Sequence, residues 1–507
     1  MKQIINYSFL LALVLFGTSC DKGFDNLNTN KVNPTQIDPL YQLNNAVVNA
    51  SFPGNSSLAY DVGIVQQIIS PNNGVLNGAN FNSDNRTSTQ AIWQNYYRNV
   101  IRNTNDVIVN TKNVADRANL LQMGRIFQAF AYIVLTDEYG DIPYTQGGKG
   151  YTDQNYFPVY DAQQAIYTDI IKELGEAATA LNASGRIETG DILYGGNVAQ
   201  WKKFAYSLML RAGMRLSKAD ATKAQATVQA AFAGGVILAN ADNALIRHDA
   251  NYTNPIGATL NSTEAANFYL TKPFVDSLKN RNDPRLQAIA VRYAGATSGG
   301  TQTAASRTTV PAQQFGLALG FDNTTANGYA TSVGRASFYD FSQADRTRIA
   351  KQTAPCFLVT AAQTQLLLAE ARQKGWITTG TVQGYYDAGV TLHMQQMAIY
   401  DAGSTVAPGD ITTYLTNNPF EPARALEQIG TQYWIASFLN GPEAFANYRR
   451  TGFPSLAPNP YPAREVTAIR RLTYPNSEQS VNSTNFNAAI TRQGADKLDT
   501  RVWWDKP

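Results

Sequence analysis

The segment TDEYGDIPYT, residues 136–145, brings three carboxylates close together in the chain: Asp137, Glu138 and Asp141. They are interleaved with two tyrosines, a glycine and a proline. Glycoside hydrolases use two carboxyl groups about 5–10 Å apart across an open cleft. Two acids four residues apart on a helix meet such a spacing, so the segment raises the hypothesis of glycosidic hydrolysis.

The same segment is typical of the end of a helix. An apolar stripe over residues 120–135 precedes it, and Gly140 and Pro143 follow. Glycine tolerates a positive φ, and proline lacks the N–H that would continue a helix. We expect Asp141 to accept hydrogen bonds from backbone donors in its own turn. We therefore predict no enzymatic activity, and the residues interpreted as parts of a structural turn are Asp137, Tyr139, Gly140, Asp141 and Pro143.

Helical periodicity runs through most of the chain, with apolar residues recurring at i, i+3, i+4 and i+7. Short breaks join the segments in pairs, and large and small residues alternate on their faces. This pattern predicts a mostly α protein with a tetratricopeptide-like helical scaffold. We expect Trp201 in its core and Asp161 as a helix N-cap. The periodic segments are 93–109, 120–135, 161–181, 198–216, 357–376, 384–400 and 422–439.

Candidate ligand-binding residues lie outside these helices. Residues 241–349 lack helical periodicity, which predicts a loop-rich insert carrying a few short strands. Loops on a rigid scaffold often carry binding groups. A pyranose ring packs on an aromatic face, and its hydroxyls bond to amides and carboxylates. The candidates are Phe81, Asn82, Asp84 and Arg86 in the loop 70–90, and Tyr252, Asn254, Tyr293, Tyr329 and Tyr339 in the insert.

The N-terminal segment MKQIINYSFLLALVLFGTSC has the parts of an export signal. Its apolar run, residues 9–16, is much shorter than the roughly 20 residues that span a bilayer. Small residues precede Cys20, as in a bacterial lipobox. We predict a lipoprotein signal peptide over 1–19, lipidation of Cys20, and a lipidated tether over 20–40.

Composition excludes several classes of function. The net charge is only +3 and no basic run is present, so nucleic acid is not a predicted partner. Two cysteines and two histidines in 507 residues exclude a zinc cluster built on thiolates. We predict neither a metal nor a cofactor. Only 16% of the residues are charged, which suits a surface for polar, uncharged ligands.

In its ordered motifs the sequence resembles the SusD/RagB family of Bacteroidetes outer-membrane lipoproteins, in its SusD-like branch. The resemblance runs nearly from end to end, beginning with the lipobox around Cys20. The other motifs that carry it are FDNLNTNKVNPT, WQNYYRNVIRNTNDVI, TDEYGDIPYT, WKKFAYSLMLRAGMRLS, FVDSLKNRNDPRL, FLVTAAQTQLLLAEARQKGW, GPEAFANYRRTGFP and RRLTYPNSEQSVN.

The resemblance implies a surface lipoprotein, lipid-anchored to the outer membrane and facing the cell exterior. Such a protein is the lid of a SusC-like TonB-dependent transporter and binds oligosaccharides for nutrient uptake. A peptide-binding lid of the RagB type is the alternative, and an extracellular glycoside hydrolase is a weaker one. Arg449 and Arg450 in GPEAFANYRRTGFP have the chemistry of an anion clamp. Because family members with different ligands share that segment, we favour ion pairs within the scaffold.

The predicted organisation is a single SusD-like domain over residues 41–507. Its parts are a helical scaffold over about 41–240 and 350–450, the loop-rich insert over about 241–349, and a C-terminal loop-rich segment over about 451–507.

Overall fold

The apolar stripes of the sequence lie on helices in the computed structural model, which describes residues 37–507. The predicted signal peptide, Cys20 and most of the tether lie outside the described residues. The described chain is 55% helix and 5% strand, which confirms the mostly α fold class. Residues Pro39–Pro507 form one compact unit.

The helices fall in three parts of the chain. Before the insert they are α1 (Pro39–Asn49), α2 (Gly54–Ser56), α3 (Val62–Ile64), α4 (Arg86–Asn95), α5 (Arg102–Thr111), α6 (Ala118–Tyr139), α7 (Gln163–Ala180), α8 (Val198–Arg215) and α9 (Ala221–Gly234). Within the insert they are α10 (Pro255–Leu260), α11 (Lys272–Lys279), α12 (Arg285–Ile289) and α13 (Ala326–Ser332). After it come α14 (Ala361–Gln373), α15 (Val382–Tyr400), α16 (Pro408–Asn417), α17 (Ala425–Ala436), α18 (Gly441–Thr451), α19 (Asn476–Val481) and α20 (Ser483–Gln493).

Consecutive long helices pack in pairs, as the scaffold prediction requires. α5 packs on α6, α6 on α7, α8 on α9, and α14 on α15. α8 also packs on α14, which joins the two halves of the scaffold across the insert. Trp201 of α8 is fully buried, and its indole Nε1 donates to Asp191 at 2.7 Å.

Two helix starts differ from the prediction. α7 begins at Gln163, and the carboxylate of Asp161 instead accepts from the backbone N–H groups of Tyr144 and Thr145 at 3.0 and 2.8 Å. The segment predicted as helix from residue 357 opens with a strand. Thr360 then caps α14 through a capping box, a signal that was readable in its sequence TAAQ.

Short strands within residues 37–507 link the insert to the scaffold and also pair within the insert. β1 pairs with β3 and β2 with β7, so two strand pairs link the insert to segments outside it. β5, β4 and β6 form an antiparallel sheet within the insert. The strands are β1 (Ile68–Ile69), β2 (Ala244–Ile246), β3 (Tyr269–Leu270), β4 (Ala290–Tyr293), β5 (Arg307–Thr308), β6 (Gln343–Ala344) and β7 (Cys356–Val359).

The insert has its own small apolar core beside the main one. Tyr269, Leu317, Phe338 and Phe341 are buried in it, and aromatic rings of the neighbouring loops pack against it. The insert is therefore a folded cap on the scaffold.

Candidate functional site

The first acid of residues 136–145, Asp137, is only 2% exposed. Its Oδ1 accepts from the hydroxyl of Tyr167 at 2.5 Å and from Nε1 of Trp504 at 2.9 Å. Its Oδ2 accepts from Nε of Arg215 at 3.2 Å. Burial raises the pKa of Asp137, while Arg215 acts in the opposite direction. Protein groups thus enclose this carboxylate on every oxygen and leave a substrate no access to it.

Glu138 is fully buried, and neither carboxylate oxygen has a hydrogen-bond partner among residues 37–507. Burial raises its pKa well above the usual range, and the nearby Asp61 raises it further. Asp61 ends a π-helical turn, Ser57–Asp61, and burial raises its pKa to about 7. This pair of acids belongs to the core and does not face a cleft.

The helix α6 ends where Gly140 adopts a φ of 83°. The prediction that Asp141 binds donors in its own turn is wrong. Its Oδ1 accepts from the backbone N–H of Gln163 at 2.8 Å, and its Oδ2 accepts from Nε of Arg492 at 2.6 Å. These partners are 22 and 351 residues away, because the turn brings α7 and α20 over Asp141.

The remaining residues of this turn also bind distant parts of the chain. The hydroxyl of Tyr139 donates to the carbonyl of Thr89. The carbonyl of Pro143 accepts from the hydroxyl of Tyr97 at 2.6 Å. The segment therefore connects α4, α6, α7 and α20, and its geometry offers no open pair of carboxyl groups for hydrolysis.

Arg449 and Arg450 are both 3% exposed. Arg450 donates through two guanidinium nitrogens to both carboxylate oxygens of Glu370, at 2.6 Å each. Arg449 donates to the main-chain carbonyl of Asp137 at 2.7 Å, and its guanidinium lies 4.8 Å from the ring centroid of Trp504. Neither side chain is available as an anion clamp on the surface.

The loop 70–90 buries two of its four candidate residues. Phe81 is 1% exposed, and its ring centroid lies 4.7 Å from that of Tyr461. Asn82 is 6% exposed and donates to the carbonyl of Val466 at 3.1 Å. These side chains hold the loop against the C-terminal segment, so their burial does not support the predicted contact with a ligand.

Asp84 and Arg86 remain partly exposed but have protein partners. Arg86 donates to Asp496 at 2.7 Å and to Asp84 at 3.1 Å. Asp84 also accepts from the hydroxyl of Thr473 at 2.7 Å. An ion pair and a hydrogen bond thus connect this half of the loop to the C-terminal segment.

Tyr329 lies near the opposite side of the same loop. Its half-buried ring stacks on Phe321 with centroids 4.4 Å apart, and the ring centroid of Phe341 lies 5.8 Å from that of Tyr329. Asn80 donates to the carbonyl of Phe321 at 3.1 Å and accepts from the N–H of Gly320 at 3.3 Å. The tertiary structure therefore brings the loop 70–90 next to one candidate of the insert.

Two further candidates of the insert, Tyr293 and Tyr339, lie in the neighbouring sheet region. Tyr293 is 4% exposed, and its hydroxyl accepts from Nε of Arg346 at 3.1 Å. Tyr339 is half-buried and stacks on Phe338 with centroids 4.1 Å apart. The ring of Tyr293 is therefore covered by the protein, and that of Tyr339 is covered in part.

Tyr252 differs from every other candidate, because 63% of its side chain is exposed. It borders an open cavity of about 330 Å³, which we call the Tyr252 cavity. Its neighbour Asn254 is 8% exposed and caps α10, accepting from the N–H groups of Ile256 and Gly257. The described residues that line the cavity are Val48, Asn49, Ser51, Pro53, Ala91, Asn95, His248, Tyr252, Thr253 and Pro255.

A hydrogen-bonded turn holds Tyr252 in place. Nδ1 of His248 lies 2.8 Å from the carbonyl of Tyr252, and Nε2 lies 2.8 Å from Oγ of Ser51. A carbonyl only accepts, so Nδ1 carries the proton and the neutral ring accepts from Ser51. Burial lowers the pKa of His248, which favours that neutral form. The carboxylate of Asp249 accepts from the N–H of Tyr252 at 2.9 Å and completes the turn.

The Tyr252 cavity combines an aromatic ring with amides and hydroxyls. No Asp, Glu, Lys or Arg occurs among the described residues that line it. Its chemistry therefore suits a neutral ligand with an apolar face and several hydroxyls. Sequence reasoning missed Asn49, Asn95 and His248; the only sequence signal for them was the nearness of His248 to Tyr252.

Within residues 37–507, no cluster of three or more His, Cys, Asp or Glu side chains could hold a metal ion. Cys356 is free and buried. None of the helices described is both long and apolar enough to cross a membrane.

Comparison with known proteins identifies relatives over nearly the whole chain. The SusD-like family model described as "Starch-binding associating with outer membrane" matches residues 30–475. No curated protein matches the chain.

Several solved structures are similar along their full length. A chitin-binding protein is 29% identical, with a TM-score of 0.81 over 93% of this chain and 100% of its own. A Bacteroidetes SusD-like protein, AC2a, is 25% identical, with a TM-score of 0.81 and the same coverage. A chitin-binding SusD homologue from Flavobacterium johnsoniae is 25% identical, with a TM-score of 0.71 over 92% of this chain and 95% of its own.

Proposed function

This chain belongs to the SusD-like family of starch-binding proteins that associate with the outer membrane, and we propose that it binds an oligosaccharide in the Tyr252 cavity. The observation that carries the proposal is the exposed ring of Tyr252 beside an uncharged cavity lined by amides. One face of a pyranose packs on the ring, and hydroxyls bond to Asn49 and Asn95. Two similar structures are chitin-binding proteins, so chitin oligosaccharides are tested beside starch fragments.

In this proposal the protein is a lid and not an enzyme. Cys20 carries the lipid anchor, and the folded unit faces the cell exterior above a SusC-like TonB-dependent transporter. Opening exposes the bound oligosaccharide, and closure passes it into the transporter. Enclosure of Asp137, Glu138 and Asp141 supports binding without hydrolysis.

The test is calorimetric titration of the protein with maltooligosaccharides, chitooligosaccharides and oligopeptides. We expect saturable binding of one glycan series, with the glycan unchanged after incubation. Tyr252→Ala is expected to weaken binding by roughly 5- to 150-fold, if the stacked sugar face contributes as much as a nucleic-acid base stacked on an aromatic side chain, about 1–3 kcal/mol. Tyr156→Ala is the matched control, since Tyr156 is 69% exposed and does not line the cavity.

Three results would contradict the proposal. Equal glycan affinity of the Tyr252 and Tyr156 variants would show that the Tyr252 cavity is not the binding site. Binding of oligopeptides alone would favour the RagB-type lid. Release of shorter glycans would favour a hydrolase.

Affinity purification of membranes through the Cys20-anchored protein tests the partner. Recovery of the protein without a TonB-dependent transporter would contradict the lid role.

A further inference from the structure

A second open cavity, of about 390 Å³, lies within the helical scaffold. Side chains of α5, α6 and α7 and of the loop 144–149 line it, so we call it the α5–α7 cavity. It shares no lining residue with the Tyr252 cavity. The proposed oligosaccharide site therefore leaves its polar lining without a role.

One charged residue of this cavity is satisfied by the protein itself. Arg125 donates to Glu173 and to Glu176 at 2.8 Å each, and to Gln122 at 2.9 Å. This arginine and its two acids form a network that holds α6 against α7. A ligand gains little from it, because its strongest donors are already used.

Other groups of the same cavity have unused hydrogen-bonding capacity. Lys149 donates to the carbonyl of Thr145 at 2.6 Å, which uses one of its three protons. Asn105 is 6% exposed, and its Nδ2 has no partner within the described residues. One oxygen of Asp169 accepts from the hydroxyl of Tyr144 at 2.8 Å. Its other oxygen lies 3.8 Å from a lysine that is mostly exposed.

The cavity thus presents donors from α5 and the loop, and a carboxylate acceptor from α7. A buried donor without a partner costs free energy, so a ligand that supplies an acceptor is favoured at Asn105. A full positive and a full negative charge on different elements match a ligand with both charges. Charge-assisted hydrogen bonds are also stronger than those a neutral hydroxyl would make.

We propose that the α5–α7 cavity binds a small zwitterion, an α-amino acid or a dipeptide. Lys149 and Asn105 bind its carboxylate, and Asp169 binds its ammonium group. The volume falls in the usual range for small-molecule sites, about 300–1,000 Å³.

The test is titration of the full-length protein with dialanine, with N-acetyl-dialanine amide, and with maltose. Dialanine is expected to bind saturably, whereas the capped peptide lacks both charges and is expected not to bind. Lys149→Ala and Asp169→Asn are each expected to weaken dialanine binding at least tenfold. Lys112→Ala is the control, because Lys112 is exposed and lies outside the cavity; it is expected to bind as the native protein does.

The proposal is wrong if dialanine fails to saturate the native protein at tens of millimolar. It is also wrong if the capped peptide or maltose binds equally well at this cavity, or if Lys149→Ala behaves as Lys112→Ala does. Comparison of the capped and free peptides on the native protein needs no variant to fold. Tyr252→Ala is expected to leave dialanine binding unchanged, so failure here is distinct from failure of the oligosaccharide proposal.

Discussion

The turn at residues 136–145 and the Tyr252 cavity differ in the charge and in the exposure of their polar side chains. The turn contains three acids, all at most 4% exposed and enclosed by helices. The Tyr252 cavity is open, and no charged residue occurs among the described residues lining it. At the turn, charged groups therefore hold helices together, whereas the Tyr252 cavity presents a neutral aromatic and amide surface to solvent.

This difference follows from the cost of removing ions from water. A buried charge is tolerated only with close partners, so Asp137 and Asp141 each bind an arginine from a distant segment. Glu138 has no hydrogen-bond partner among the described residues, and burial raises its pKa well above the usual range, which favours the neutral acid. A neutral ring and amides lose much less on binding a sugar. Close spacing of these acids in the sequence is thus no sign of an open site, because the fold encloses all three of them.

The largest expected effect comes from removing a buried cation beside the turn. Arg215 is 1% exposed and contacts both Asp137 and Glu443. Arg215→Ala leaves these acids short of a partner, and we expect the free energy of unfolding to fall by about 3–5 kcal/mol. Urea denaturation measures it. The control is Arg424→Ala, because Arg424 forms only exposed ion pairs with Glu421 and Glu427; it should leave the free energy of unfolding unchanged. Equal losses of stability in the two variants would show that the buried charges of the turn are no more important for stability than exposed ones.

The next effect is a pH dependence of stability. Burial raises the pKa of Asp61 in the folded state to about 7, above the ordinary value of 3.8 that we expect in the unfolded chain. The folded state then binds more protons between these values, so stability falls as pH rises from about 4 to about 7. Asp61→Asn should flatten this slope by up to about 1.4 kcal/mol per pH unit. Parallel slopes for the variant and the native protein, from unfolding at pH 4–7, would contradict the assignment.

A smaller loss is expected at Asp141. Asp141→Asn keeps an acceptor for the N–H of Gln163 but removes the charge beside Arg492. Burial raises the pKa of Asp141, so its charge adds little, and we expect about 1 kcal/mol of destabilisation. Thermal unfolding checks the value against Asp499→Asn, an exposed position. Glycan affinity should stay unchanged. A large loss of affinity would indicate that the turn at residues 136–145 contributes to ligand binding.

The smallest effect tests the support of the Tyr252 cavity. Ser51→Ala removes the hydrogen bond to His248, which in turn binds the carbonyl of Tyr252. We expect glycan affinity to weaken about two- to threefold, the lower end of the about 0.5–1.5 kcal/mol that one neutral hydrogen bond contributes, because Ser51 acts on Tyr252 only through His248. Titration is compared with Ser56→Ala, whose hydroxyl binds only Pro53 within the described residues. Identical glycan affinities for the Ser51 and Ser56 variants would show that Tyr252 needs no support from this hydrogen bond.

Local sequence signals predicted most of the fold but few contacts of the site. The helix ending at Gly140 and the core position of Trp201 follow from local periodicity and glycine chemistry. The partners of Asp141 lie 22 and 351 residues away, so no local rule finds them. The same limit applies to Phe81, whose aromatic character suits a sugar and a core equally well.

The sequence by itself determined the helical scaffold, the insert and the family resemblance, because periodicity and ordered motifs are properties of the chain as written. Only the tertiary structure decided which polar groups are enclosed and which face solvent. Burial depends on segments hundreds of residues apart: α20 covers Asp141, whereas Tyr252 stays exposed to solvent. Exposure, and with it the choice between a structural and a binding role, is a property of packing.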